Sequence, residues 1–234
     1  PLLSLSLSTT SRRIGDNKEW NCGTFFLMKG ISEYHKYGEG NRYVYIIGGE
    51  EFVSSFPLSF PDTVFVSIKV EDWNRYLSPY RMENPFRKGD YFIGDADTLA
   101  SSILRSLIPL VEKRGEKSER YLIGYSMGGL FSLYSGTLTD KWNGVASVSG
   151  SLWFEDIDEY FSSHPLKTKK VYLSLGRKEK ESRNKTLRSV EEKTKVIYEM
   201  MTKEGIECTF TLQEGGHFQD EEKRIRDAVS YFLG

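Results

Sequence analysis

The sequence predicts an α/β domain, with a mostly parallel central sheet flanked by helices on both faces. Three observations carry this reading. Apolar, β-branched runs alternate along the chain with segments of helical periodicity. The central runs, such as Val64-Phe65-Val66-Ser67-Ile68 and Val171-Tyr172-Leu173-Ser174-Leu175, are apolar without alternation, as strands covered on both faces are. One run, Tyr121-Leu122-Ile123-Gly124-Tyr125, passes straight into Ser126-Met127-Gly128-Gly129-Leu130 and an amphipathic helical pattern.

Strands are expected at 2–8, 24–28, 43–47, 64–70, 121–125, 144–148, 171–175 and 207–213. The first alternates leucine with serine, which suits a half-buried antiparallel edge. Helices are expected at 97–113, 127–138, 186–204 and 219–233. In 97–113, Leu99, Ile103, Leu107 and Val111 share one face, and Pro109 inside the pattern predicts a kink or local break. In 127–138, Leu130, Phe131, Leu133 and Tyr134 form the buried side. The run Arg177 to Arg188 is densely charged and reads as a solvated loop and first helical turn. No internal repeat or Pro/Gly/Ser-rich linker divides the chain, so 1–234 is expected to be one domain.

Residues 72–95 form a long insertion carrying Trp73, Tyr76, Tyr80, Phe86, Tyr91 and Phe92. So many rings in a connection must bury against something. Some are expected to pack on the sheet as a satellite core, others to line a cleft.

Charge narrows the partners. The 32 basic and 33 acidic residues nearly cancel, so neither nucleic acid nor an anionic membrane surface is implied. No apolar run approaches the ~20 residues needed to span a bilayer. A small-molecule partner is expected. Cys22 and Cys208 lack metal-ligand spacing and suit reduced thiols in a cytoplasmic protein. Residues 1–10 carry no basic residue and read as a strand rather than a leader, although a processed precursor would look the same.

The chemistry concentrates at Gly124-Tyr125-Ser126-Met127-Gly128. A serine on a tight turn between strand and helix is exposed above the sheet, and its neighbours at 124 and 128 have to be small. The helix N-terminus beneath it favours developing negative charge. Serine is barely ionised at neutral pH and needs a neutral imidazole as base. Of His35, His164 and His217, only His217 lies on a loop directly after a late strand, following Gly215-Gly216. The orienting acid is expected after strand 171–175. Glu179 is the first choice and Glu181 the rival, with Asp156 and Asp158 as outside candidates. One oxyanion donor is expected from the Met127 N–H, and a second from Gly49 or Glu50 in the glycine pair after strand 43–47. Neither a metal nor an organic cofactor is indicated.

From Tyr43 to Leu233 the chain resembles the putative-esterase branch of the α/β-hydrolase superfamily, the group of esterase D, feruloyl and acetyl esterases and enterobactin-type siderophore esterases. The resemblance rests on Leu107-Ile108-Pro109-Leu110-Val111-Glu112, on Gly124-Tyr125-Ser126-Met127-Gly128-Gly129, on Ser149-Gly150-Ser151-Leu152-Trp153, on Leu175-Gly176-Arg177-Lys178-Glu179 and on Gly215-Gly216-His217. It implies an α/β-hydrolase fold and supports Glu179 over Glu181. Arg75-Tyr76-Leu77-Ser78-Pro79 is loosely similar to the Arg-Asp-Tyr-Thr-Pro pattern of siderophore esterases. Trp153, Tyr125, Trp73 and Arg75 are the expected substrate-binding residues. The expected activity is hydrolysis of small or carbohydrate-linked carboxylic esters through an acyl-enzyme. Acyl transfer with the same residues, or a non-catalytic binding module on this fold, are the alternatives.

Overall fold

The computed structural model describes residues 10–13, 28–112 and 118–234. Ten strands lie among them: β1 (Thr10–Arg13), β2 (Ile31–Tyr37), β3 (Arg42–Ile47), β4 (Thr63–Val70), β5 (Met82–Glu83), β6 (Tyr91–Phe92), β7 (Glu119–Tyr125), β8 (Gly144–Val148), β9 (Lys170–Gly176) and β10 (Glu207–Gln213). Eight form one sheet in the order β1-β2-β4-β3-β7-β8-β9-β10. The pairs β1–β2 and β2–β4 are antiparallel and the rest are parallel. The expected strand 2–8, nearly all of 24–28, and Cys22 lie outside the described residues.

The strand β2 is a finding that the residue pattern concealed. Only Ile31 and Tyr34 of its seven residues are buried, so the segment reads as polar. Its pairing with β4, as in Tyr34↔Ile68 and Tyr37↔Phe65, spans a sequence distance that local pattern does not encode.

The helices are α1 (Trp73–Tyr76), α2 (Ala96–Ser102), α3 (Ile108–Val111), α4 (Met127–Leu138), α5 (Ile157–Ser163), α6 (Lys185–Arg188), α7 (Val190–Lys203) and α8 (Glu221–Leu233). Strand alternation divides the core. Tyr43, Tyr45 and Ile47 point to the side covered by α2, α3, α4 and α7. Val44 and Ile46 point to the side covered by α8 and the 3-10 segment Val53–Leu58. Helix α4 is buried from Met127 to Thr137, which places its N-terminus inside the protein beneath a strand end.

The break expected at Pro109 occurs as a π-helical stretch, Ile103–Leu107, between α2 and α3. Proline has no N–H and its ring crowds the preceding turn. The widened turn, with Ile108 N–H on the Ile103 carbonyl, makes room while keeping Leu107, Ile108 and Val111 buried. The helix expected over 186–204 is divided at Ser189 into α6 and α7.

The insertion folds as α1 followed by the antiparallel pair β5–β6. Its rings serve both expected roles. Tyr76 and Phe92 are core residues, and Tyr80 packs edge-on to Phe154 at 5.5 Å. Trp73 and Phe86 stay exposed at a cavity described below. Among the described residues, no helix is long and apolar enough to cross a membrane.

Candidate active site

Ser126 stands at the carboxyl end of β7 with φ 56° and ψ −122°, a strained backbone for a residue with a side chain. The turn is held by Ser126 N–H on the Val148 carbonyl (3.0 Å) and by the Ser126 carbonyl, which accepts from Gly129, Leu130 and Ser151 N–H groups. A Cβ on Gly124 would lie 2.0 Å from the Gly128 carbonyl oxygen, so only glycine allows strand and helix to meet this closely. The Met127 N–H opens α4, where helical N–H groups lack an intrahelical acceptor.

His217 follows β10 on a turn shaped by Gly215 (φ 84°) and by the Gln219 side chain, which accepts the Gly216 N–H at 2.6 Å. Its Nε2 lies 3.0 Å from Ser126 Oγ, and its Nδ1 lies 2.9 Å from Glu179 Oε2. Glu179 begins a 3-10 turn after β9, and its other oxygen accepts the Gly176 N–H at 2.7 Å. Burial of this carboxyl opposes ionisation, but the hydrogen bonds from His217 and Gly176 and the charge of His217 outweigh it and hold its pKa below the ordinary value. An ionised Glu179 places the imidazole proton on Nδ1 and leaves Nε2 free to accept from Ser126.

The elbow, the acid loop and the histidine loop leave from the carboxyl ends of β7, β9 and β10, where ligands of open parallel sheets bind. The other histidines are engaged elsewhere: His35 with Glu33 at 3.2 Å, and His164 stacked on Tyr160 at 4.3 Å. Asp158 pairs with Lys193 and Asp156 precedes α5. Glu181 lines the cavity without reaching the imidazole ring.

Two residues hold this group together and were not foreseen. Arg224, 1% exposed in the first turn of α8, donates to Ser149 Oγ (2.7 Å), Glu179 Oε1 (3.2 Å), and the carbonyls of Glu214 (2.8 Å) and Gly216 (2.9 Å). Its Nε makes no hydrogen bond among the described residues. Glu221-Glu222-Lys223-Arg224 looks in sequence like a solvated helix start, and only the fold distinguishes Arg224 from its neighbours. Ser151 is the second, with Oγ 3.5 Å from Ser126 Oγ.

A cavity of about 740 Å³ opens over Ser126 and His217. Trp73, Phe86, Phe92 and Trp153 form one wall, and Leu187 and Val190 form another. Met127, Trp73 and Trp153 are thus at the cavity, but four of the expected residues are not among its lining. Arg75 is turned to Asp95 (2.7 Å) and Tyr76, bracing the insertion. Tyr125 is buried on the α8 face because it alternates with its neighbours along β7, and its hydroxyl donates to the His217 carbonyl. Gly49 and Glu50 are outside the lining, and a Cβ on Gly49 would meet Val53 and Phe52 at 3.0 to 3.2 Å. The Gly48 N–H serves the sheet through the Ile68 carbonyl (2.9 Å), and a Cβ on Gly48 would be 3.8 Å from Trp73. Among the described residues, no group of three or more His, Cys, Asp or Glu is placed to hold a metal ion.

A mostly parallel sheet with flanking helices, carrying an elbow serine at a strand end, defines the class as an α/β-hydrolase. The sequence model of the family described as "Putative esterase" matches residues 22–220, and the chain belongs to that family. It is therefore an esterase. The chain is 28% identical over 186 residues to the uncharacterized protein YbbA of Bacillus subtilis (strain 168), covering 74% of each. In structure it is similar to an IroE-like serine hydrolase of Shewanella oneidensis (TM-score 0.69, 16% identity, 86% of this chain and 75% of that one). It is also similar to the siderophore hydrolase EstA of Aspergillus nidulans (TM-score 0.70, 15% identity, 100% and 97%).

Proposed function

We propose that the protein hydrolyses small carboxylic esters, including esters carried on sugars, through a covalent acyl-enzyme formed on Ser126. The observation that supports this reading is the continuous relay Ser126–His217–Glu179, with steps of 3.0 and 2.9 Å, at the floor of a cavity walled by rings.

Ser126 Oγ attacks the ester carbonyl while His217 Nε2 takes its proton. Glu179 holds the tautomer and stabilises the imidazolium that forms. The Met127 N–H, at the start of α4, donates to the oxyanion, and the N–H of Gly49 or Glu50 is the second donor once substrate is seated. His217 then returns the proton to the leaving alcohol, whose departure leaves the acyl-enzyme. Water enters by the same route, with His217 as its base, and frees Ser126.

The apolar or ring-shaped portion of the substrate lies against Trp73, Phe86, Phe92 and Trp153. EstA, a neighbour of the same fold, is a siderophore hydrolase, so aryl-bearing esters and lactones belong in the first panel beside acetylated sugars and short aliphatic esters. The test is hydrolysis of that panel with Ser126→Ala as the blank, together with fluorophosphonate labelling. Wild-type turnover and labelling, both lost in the variant, are expected. Hydrolysis unchanged in Ser126→Ala would overturn the reading.

A further inference from the structure

We infer that Arg224 is a positioning residue for the reaction: its fork clamps the acid and the histidine loop into one unit, and its charge tempers the field that Glu179 exerts on His217. The inference rests on the proposed Ser126–His217–Glu179 mechanism and goes beyond it, because Arg224 touches neither the nucleophile nor the cavity.

The geometry carries the first half. Nη2 reaches the carbonyls of Glu214 and Gly216, which bracket the turn leading to His217. Nη1 reaches Glu179 Oε1 and Ser149 Oγ, on the loops after β9 and β8. One side chain therefore ties three loops that leave three different strand ends. A Cβ on Gly176 would lie 2.5 Å from the Gly215 carbonyl oxygen and 2.7 Å from Nη2, so the β9 end is packed closely against both the histidine loop and this guanidinium. Arginine suits the position because its planar fork offers divergent donors in fixed directions, whereas an ammonium would serve only part of the set.

Electrostatics carry the second half. The groups around His217 are Glu179 from the loop after β9, Glu221 and Arg224 from α8, the Tyr125 hydroxyl from β7, and Lys178, which lines the same cavity and whose N–H is bonded to the Gly215 carbonyl. Glu50 and Glu51 act on Glu221 from the loop after β3. Arg224 is the fully buried cation among them, 3.2 Å from the carboxylate that the imidazolium faces. Without it Glu179, still held by the Gly176 N–H and by His217, attracts the imidazolium more strongly. Protonation of the base is then favoured, and the acid limb of the kcat/KM profile moves to higher pH.

The experiment compares Arg224→Met and Arg224→Lys with wild type by kcat, KM and the pH profile of an aryl ester, with circular dichroism as the folding check. Arg224→Met is expected to fold, to lose roughly a hundredfold in kcat at nearly constant KM, and to shift the acid limb upward. Arg224→Lys should keep the wild-type limb, because the charge remains, while kcat falls roughly tenfold because the fork is gone. An unmoved limb in a folded Arg224→Met would overturn the electrostatic half, and wild-type kcat in Arg224→Lys would overturn the clamp. If Arg224→Met fails to fold, the lysine variant decides alone: a wild-type kcat or a displaced limb sinks the inference. Failure of the esterase reading looks different, as Ser126→Ala would then retain activity.

Discussion

The hydroxyl of Tyr125 donates to the backbone carbonyl of His217, so the base is fastened to the residue that precedes the nucleophile. This contact spans the gap between β7 and the histidine loop on the face away from the cavity. Burial raises the Tyr125 pKa, which keeps the hydroxyl a donor throughout any useful assay range. Tyr125→Phe removes the tether and leaves the His217 carbonyl poorly satisfied. At about 1 kcal/mol for such a bond, kcat should fall roughly fivefold. Since the ring lies outside the cavity, KM should stay constant. A raised KM with unchanged kcat would mean instead that Tyr125 binds substrate.

Glu179→Gln tests the acid. The carboxylate accepts from His217, Gly176 and Arg224, donors ranged around an acceptor-only group. An amide must aim its NH₂ either at donors or at the imidazole, and the second choice imposes the wrong tautomer. A kcat loss on the order of 10³- to 10⁴-fold is expected, measured with labelling of Ser126 as the control for an intact elbow.

The same carboxyl makes a pH prediction. Its folded pKa is depressed, so the stability it contributes is present above the unfolded glutamate value of about 4.3. That contribution is lost as pH falls through the lower folded value. Urea unfolding should show the stability of wild type relative to Glu179→Gln constant near neutrality and shrinking below about pH 4.3. A difference that grows on acidification would contradict the assigned direction.

The parts of this site that were legible in the sequence depend on chain order. The elbow is a contiguous motif, and parallel strands send their carboxyl-end loops to one rim, so Glu179 and His217 could be located by counting strands. Residues defined by non-local geometry were hidden. Arg224 sits among charged neighbours whose only visible property is charge, and its burial is a result of three loops closing over it. Strand β2 was hidden by its half-exposed, polar pattern. Arg75 was read from a loose motif, whereas Asp95, twenty positions later, determines where its guanidinium goes.

Two glycines, one in the elbow and one near the far end of α4, should respond oppositely to alanine. At Gly124 the new methyl would meet the Gly128 backbone at 2.0 Å, which no side-chain movement relieves. A loss of roughly 3 kcal/mol or more, with Ser126 displaced, is expected. At Gly136, inside α4, the nearest atoms are the Leu166, Thr168 and Val145 methyls at 3.4 to 3.5 Å, ordinary contact. Helix propensity then favours alanine by up to about 1 kcal/mol. Thermal denaturation of both variants checks the pair, and a stabilised Gly124→Ala would refute the close packing of strand and helix.

Phe86 is the residue through which substrate preference can be probed without disturbing the core. It is 60% exposed, yet its ring meets Trp153 edge-to-face at 5.6 Å on the cavity wall. Trp153 is 6% exposed and also touches Phe92 and Phe154, so truncating it would cost several kcal/mol of folding and blur any kinetic effect. Phe86→Ala should leave stability within about 0.5 kcal/mol. If an aryl group of the substrate stacks on this wall, losing a contact worth about 0.5–1.5 kcal/mol raises KM for aryl esters roughly two- to tenfold. Short aliphatic esters, which carry no ring to stack on this wall, should be unaffected. The aryl-to-alkyl ratio of kcat/KM is therefore the quantity to measure. An unchanged ratio would place the ring-bearing part of the substrate elsewhere, against Phe218 (95% exposed) beside His217, and Phe218→Ala would then show the change that Phe86→Ala did not.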